Sequence, residues 1–176
     1  ITIPDSVTTI KSSAFYSCDS ITSITIPDSV TTIGDKVFIG CSNLAEFKGK
    51  FAADGGRCLI MDNIIIAYAN ASGTTYTIPD NVTSIGDGAF WNCFSLISIT
   101  IPDSVTTIGS SAFYDCSSLT SIIVGKNNKV YDSRDNCNAI IETATSTLIK
   151  GCQNTIIPKG VTSIGGSAFA YCSSLT

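Results

Sequence analysis

Eight cysteines and no histidine set the chemistry open to this 176-residue chain. Five of the thiols, Cys18, Cys41, Cys93, Cys116 and Cys172, stand three residues after a phenylalanine in near-copies of S-A-F-x-x-C. A place shared by every copy is a packing position, where a thiol behaves as a small buried hydrophobe. Side chains in register on stacked copies point in parallel, so a ladder of disulfides is not expected. Zinc is disfavoured by the lack of any C-x-x-C pair and of any imidazole ligand. Without histidine, Ser-His and Cys-His nucleophilic mechanisms are also closed. Cys58 has no evident partner.

Paired carboxylates are the chemistry that remains. Asp5 with Asp28, and Asp80 with Asp103, recur one period apart and should stack in neighbouring turns. Such pairs suit a weak cation site or a glycosidase-like pair. Each aspartate also follows a proline, where its side chain bonds nearby backbone amides. Lys159 takes the place in the final copy and breaks the column. No catalytic residue, metal ligand or cofactor contact is assigned from these residues. Gly125-Lys126 lacks the rest of a phosphate loop, and Asn70-Ala71-Ser72 and Asn81-Val82-Thr83 are sequons that matter only on a eukaryotic secretory route.

The elements that hold these residues follow from a repeat. Pro4 and Pro27 are 23 residues apart, as are Pro79 and Pro102, while the gaps from Pro27 to Pro79 and from Pro102 to Pro158 are 52 and 56. A 23-residue unit is therefore interrupted by two insertions. The shared pattern is I-P-x-x-V-T-x-I-x-x-x-A/V-F-x-x-C-x-x-L/I-x-x-I/F, and "SITIPDSVTTIG" occurs letter for letter at Ser23 and Ser98. L-x-x-I-x-I alternates apolar and polar residues, which predicts a short strand with one buried face. Proline ends it, the residues after proline turn the chain, and V-T-x-I-G predicts a second extended piece. S-A-F-x-x-C predicts one helical turn that drives Phe15, Phe38, Phe90, Phe113 and Phe169 into a stacked column. No unit can bury its own apolar face, but stacked units bury each other's.

These signatures closely resemble the BspA-like class of leucine-rich repeats of bacterial and protist surface proteins. The resemblance implies a curved solenoid used for adhesion or protein binding, without a catalytic site. It covers about 115 residues. The fold expected is a leucine-rich-repeat solenoid of about seven rungs, with parallel short strands, turns and short helical segments, as one unit over 1–176.

The insertions span about 49–77 and about 124–156. Each carries two β-rich halves, around Asp62-Asn63 and around "TATS", and each predicts a β-hairpin that projects from or extends the stack. Pairing Glu142 with Thr147 would bring Ile141 to Leu148, Ile140 to Ile149 and Cys137 to Cys152, which leaves a disulfide open between the last two.

The exposed side of the main strand is the expected recognition surface: Ser23, Thr25, Glu46, Lys48, Ser98, Thr100, Ser121 and Ile123. Small hydroxyls there also simply favour β structure. Tyr16, Trp91, Tyr114 and Tyr171, on the outer turns, are aromatic anchors of the kind that dominate interfaces. A hydrophobic content of 44% against 14% charged residues supports a packed core, and a net charge of −4 argues against nucleic acid. No apolar run spans a membrane. The expectation is a cell-surface or secreted binding segment, contacting extracellular or host proteins, with no cofactor and with further repeats of the same chain at its ends. A structural spacer is the alternative, and carbohydrate binding or hydrolysis a third reading.

Overall fold

The structure, a computed structural model, describes residues 1–175. It is a β-solenoid whose strands, numbered in chain order, fall into two parallel ladders. The main ladder holds β2 (Ser23–Ile26) beside β4 (Glu46–Gly49), and β8 (Thr75–Thr77), β10 (Ser98–Ile101) and β12 (Ser121–Val124) side by side. Its register is one repeat per step: Ser23 lies opposite Glu46, and Ser98 opposite Ser121. The alternation expected from the sequence is met, with Ile24, Ile26, Phe47, Ile99, Ile101 and Ile122 buried.

The V-T-x-I pieces make the second ladder. β1 (Thr9–Ile10) pairs with β3 (Thr32–Ile33), and β9 (Ser84–Ile85) with β11 (Thr107–Ile108). Val30, Val82 and Val105 are fully buried beneath it.

S-A-F-x-x-C is not a helical turn. The residues two before each phenylalanine (Ser13, Lys36, Gly88, Ser111, Ser167) and two after it (Ser17, Gly40, Asn92, Asp115, Tyr171) all have positive φ. Left-handed residues on both sides cannot continue a helix. The amide hydrogens instead bond across to the next rung: Phe15 donates to the Val37 carbonyl at 3.0 Å and Phe90 to that of Ala112 at 2.8 Å. A single 3-10 turn at Arg134–Asn136 is the only helix among the described residues, and no helix there is long and apolar enough to cross a membrane.

Both insertions are absorbed into the stack. β6 (Cys58–Met61) and β7 (Ile64–Tyr68) run antiparallel around Asp62-Asn63, with β5 (Ala52–Ala53) at their edge. β7 then pairs in parallel with β9. β14 (Ala139–Glu142) and β15 (Thr147–Gly151) are likewise antiparallel, with β13 (Tyr131–Asp132) on one side and, in parallel, β16 (Ser163–Ile164) on the other.

The phenylalanine column is broken into segments by these rungs. Phe15 stacks on Phe38 with centroids 5.4 Å apart. Phe38 then meets Phe47 edge-on. Tyr68 donates its amide to Ala89 as a phenylalanine would, and its ring begins a second stack on Phe90 (5.2 Å) and Phe113 (5.1 Å). In the second insertion Gly151 holds that place, its amide bonding the Ala168 carbonyl at 2.9 Å. A Cβ there would lie 2.3 Å from the Phe169 ring, so Phe169 packs against bare backbone.

Candidate functional site

The parallel register brings the eight expected face residues into two groups. Ser23 and Thr25 lie beside Glu46 and Lys48, and Ser98 and Thr100 beside Ser121 and Ile123. Side chains at alternate positions on a strand share one face, so each group is a small in-register patch. Ile123 is 49% exposed. Lys48 pairs with Glu46 at 3.1 Å in an exposed ion pair, an arrangement worth ~0–1 kcal/mol. Thr75 and Thr77 extend the second group, opposite Ser98 and Thr100.

Between the two groups the face is made by the first insertion, which sequence reasoning passed over. Gly56 accepts the Phe47 amide hydrogen at 2.8 Å. With φ of +87° and the Phe47 carbonyl oxygen 2.7 Å from where a Cβ would stand, only glycine fits there. Arg57 then reaches β8: its guanidinium donates to the Thr75 carbonyl and, at 3.2 Å, to the Tyr68 hydroxyl. It sits 4.9 Å from the Tyr76 ring centre and 3.7 Å from Asp54. Beneath it the Cys58 thiol and the Tyr76 hydroxyl are 2.8 Å apart. Burial pushes the Cys58 thiol up to about 11, the Tyr76 bond opposing it, and burial likewise raises the Tyr76 phenol. The sequence carries no signal for this, since Tyr68 and Tyr76 both follow Arg57 at a distance along the chain and only the fold brings their rings to it.

All eight thiols are free. Those of the repeat slot act as packed donors: Cys41 to the Phe15 carbonyl and Cys116 to that of Phe90, both at 3.0 Å, and Cys93 to Asn70 Oδ1 at 3.0 Å. Burial raises the Cys41 thiol to about 11, which lowers its reactivity. The second hairpin corrects the expected register. Glu142 does pair with Thr147 and Ile141 with Leu148, but a bulge then sets Ile140 opposite Lys150. Cys152 therefore donates to the Asn138 carbonyl at 3.2 Å rather than facing Cys137.

Of the turn aspartates, Asp103 is engaged as an acceptor. Asp103 takes the Asn127 amide hydrogen at 3.0 Å and its side-chain amide at 3.1 Å. Asp80 and Asp103 do line a shared opening, yet no group of three or more His, Cys, Asp or Glu able to hold a metal ion occurs among the described residues. Asn70 is buried, and its amide donates to the Asn92 carbonyl at 3.2 Å, so the first sequon serves packing. Asn81 is exposed. On the outer turns Trp91, Tyr114 and Tyr171 form a continuous aromatic row with centroids 4.3 and 5.0 Å apart. Lys36 lies 5.8 Å over Trp91. Tyr16 is 60% exposed at the far end of the chain.

The model of the BspA type leucine rich repeat region matches six copies over residues 1–51 and 66–176. The residues between the two stretches belong to the first insertion. Among solved structures, a leucine rich cell surface protein of Faecalibacterium prausnitzii is 30% identical over 98% of this chain, with a TM-score of 0.69. The leucine rich repeat protein of T. pallidum is 28% identical over 97% of the chain and 72% of its own, with a TM-score of 0.53. The pneumococcal vaccine antigen PcpA shares the fold, with a TM-score of 0.65 at 17% identity, over 97% of this chain and 41% of its own. The chain spans 45% of the length of the Faecalibacterium protein. No curated protein matches the sequence.

Proposed function

Because the chain belongs to the BspA-type leucine-rich repeat family, we propose that it is a non-enzymatic binding segment of a cell-surface or secreted protein. Its ligands in this reading are extracellular or host proteins, and further repeats of the same polypeptide pack on its ends. The observation that carries the reading is the in-register face of exposed Thr25, Lys48, Thr77 and Ile123 and half-buried Thr100 along the main ladder. A flat row of short hydroxyls with one ion pair and one exposed isoleucine presents little that must be desolvated at high cost. It is also held rigidly by a core of buried aliphatics, so binding loses little entropy in ordering it. The cell-surface description of the Faecalibacterium relative supports the setting. The Asp103 carboxylate, engaged by the backbone and side-chain amides of Asn127, supports the non-catalytic part.

The test replaces Glu46, Lys48, Thr100 and Ile123 together by alanine and measures adhesion to extracellular-matrix proteins. The replaced side chains are half-buried or exposed, so the fold should survive. Adhesion reduced at least about tenfold is expected, one or two lost contacts being enough for that. Adhesion at the unmodified level would turn the reading toward a spacer that holds other parts of the protein outward.

A further inference from the structure

The second insertion leaves a gap in the stack that the regular repeats do not have. The turn Ser110–Tyr114 of one rung and Gly166-Ser167 of the last face each other across a cleft of about 410 Å³ over the second hairpin. Tyr114 and Tyr171 close one end through a hydroxyl contact of 3.0 Å. Phe113, Ile140 and Ile149 line it, and Ser111 and Ser167 stand at its rim.

Two charged groups enter the same space from one hairpin. The bulge opposite Ile140 turns both Ile149 and Lys150 toward the cleft, as the doubled residues of a bulge do. Glu142, two residues along from Ile140, shares that side. Lys150 is only 9% exposed, yet its ammonium, with three hydrogens to donate, has one long bond of 3.4 Å to the Ala170 carbonyl. No carboxylate lies within 4.0 Å of it among the described residues. Glu142 accepts the Thr145 hydroxyl on one oxygen and has the other left. Burial raises the Asp115 carboxyl and the Lys150 charge opposes that rise without a direct ion pair, so the ammonium keeps hydrogens free for a ligand.

We propose that this cleft binds a single uncharged sugar residue, free or at the end of a glycan. A hydroxyl both accepts and donates, so neighbouring hydroxyls on one ring satisfy Lys150 and Glu142 together. The C–H face of the ring lies on Phe113, Ile140 and Ile149. A simple anion would meet Glu142 and a simple cation would meet Lys150, whereas a neutral polyol carries no net charge to strip of water. The volume admits one hexose. The site lies apart from the main-ladder face and stands or falls independently of it.

Amide-resolved NMR titration with methyl glycosides of glucose, galactose and mannose, and separately with glycine and acetate, tests this. At least one glycoside should shift the amides of Ser111, Glu142, Lys150 and Ser167, with Kd on the order of 1 mM, the scale set by about a dozen non-hydrogen atoms. Glu142→Gln and Lys150→Met should each weaken it about tenfold, as loss of a bond to a charged group does. Gly166→Trp fills the cleft from a position where an added Cβ meets nothing within 4 Å, and it should abolish the shifts without changing any charge. Thermal unfolding of each variant confirms the fold, and either of the other two carries the test if Lys150→Met does not fold. No shift with any glycoside, shifts that survive Gly166→Trp, or equal shifts with glycine or acetate would overturn the proposal.

Discussion

The two insertions meet the same demand in opposite ways. Each interrupts the 23-residue period, and each must give the stack something where a phenylalanine would stand. The first supplies Tyr68, which stacks on Phe90 and starts a second aromatic stack that runs on to Phe113. The second supplies Gly151, which removes the ring and lets Phe169 fall onto the backbone; its hairpin also lines a cleft, through Ile140, Glu142, Ile149 and Lys150. The core divides at both insertions. One cluster runs from Ile10 to Ala69, a second from Cys58 to Cys152, and a third, small one holds Cys137, Ala139, Ile141, Leu148 and Ala168. A repeat protein is close to one-dimensional, its stability summed from rungs and their interfaces. Where an insertion puts a ring in the slot, the next rung gains a stacking partner, and where it puts glycine there, that partner is missing, which should leave the interface weaker.

The sharpest way to break this contrast is to remove rings on either side of it. Phe90 is fully buried between Tyr68 and Phe113. Phe90→Ala should cost ~3–5 kcal/mol in urea unfolding, whereas the half-buried Phe169, cut to alanine, should cost clearly less. Equal losses would mean that Gly151 does not weaken the stack. Gly151→Ala should cost ~1–3 kcal/mol, because its methyl must displace the Phe169 ring. Added together with Phe169→Ala, that penalty should shrink, since the obstructing ring is gone.

Alkaline pH probes the filled side. The Cys41 and Cys58 thiols ionise in the folded chain only near about 11, against an ordinary value of 9.0. The unfolded chain therefore loses these protons first, and stability should fall as pH rises from about 9 toward about 11. Thermal unfolding at a series of pH values checks this, and the fall should lessen in Cys58→Ala. The smallest effect expected is at the surface. Removing the Glu46–Lys48 ion pair with Lys48→Ala should alter stability by no more than ~1 kcal/mol, so any loss of adhesion in that variant reports on the face and not on the fold.

Much of this architecture is legible in the order of the residues. The spacing of the prolines sets the period, and the period sets the register that places Ser23 beside Glu46 and Thr100 beside Ile123. The alternation around Ile24 and Ile99 identifies the buried face. What stays hidden has physical causes. Ser13, Lys36, Ser111 and Tyr171 adopt left-handed backbone without being glycine, so the letters suggest a helical turn where the inter-rung hydrogen bonds impose a kinked one. Tyr68 and Gly151 take the phenylalanine slot in stretches without the phenylalanine and the cysteine three residues on that mark the other copies. The bulge that sets Lys150 opposite Ile140 shifts the pairing by one residue, and no residue type announces it. Arg57 is invisible as part of the face because its place depends on Gly56 packing against β4.

The most direct test of the binding account maps the contact itself. A matrix protein captured by the chain is titrated into the labelled chain, and perturbed amides are located. The account predicts perturbation at Thr25, Lys48, Thr77, Thr100 and Ile123, across both halves of the main ladder. Perturbation confined to Tyr16, Trp91, Tyr114 and Tyr171 would place recognition on the outer turns and contradict it.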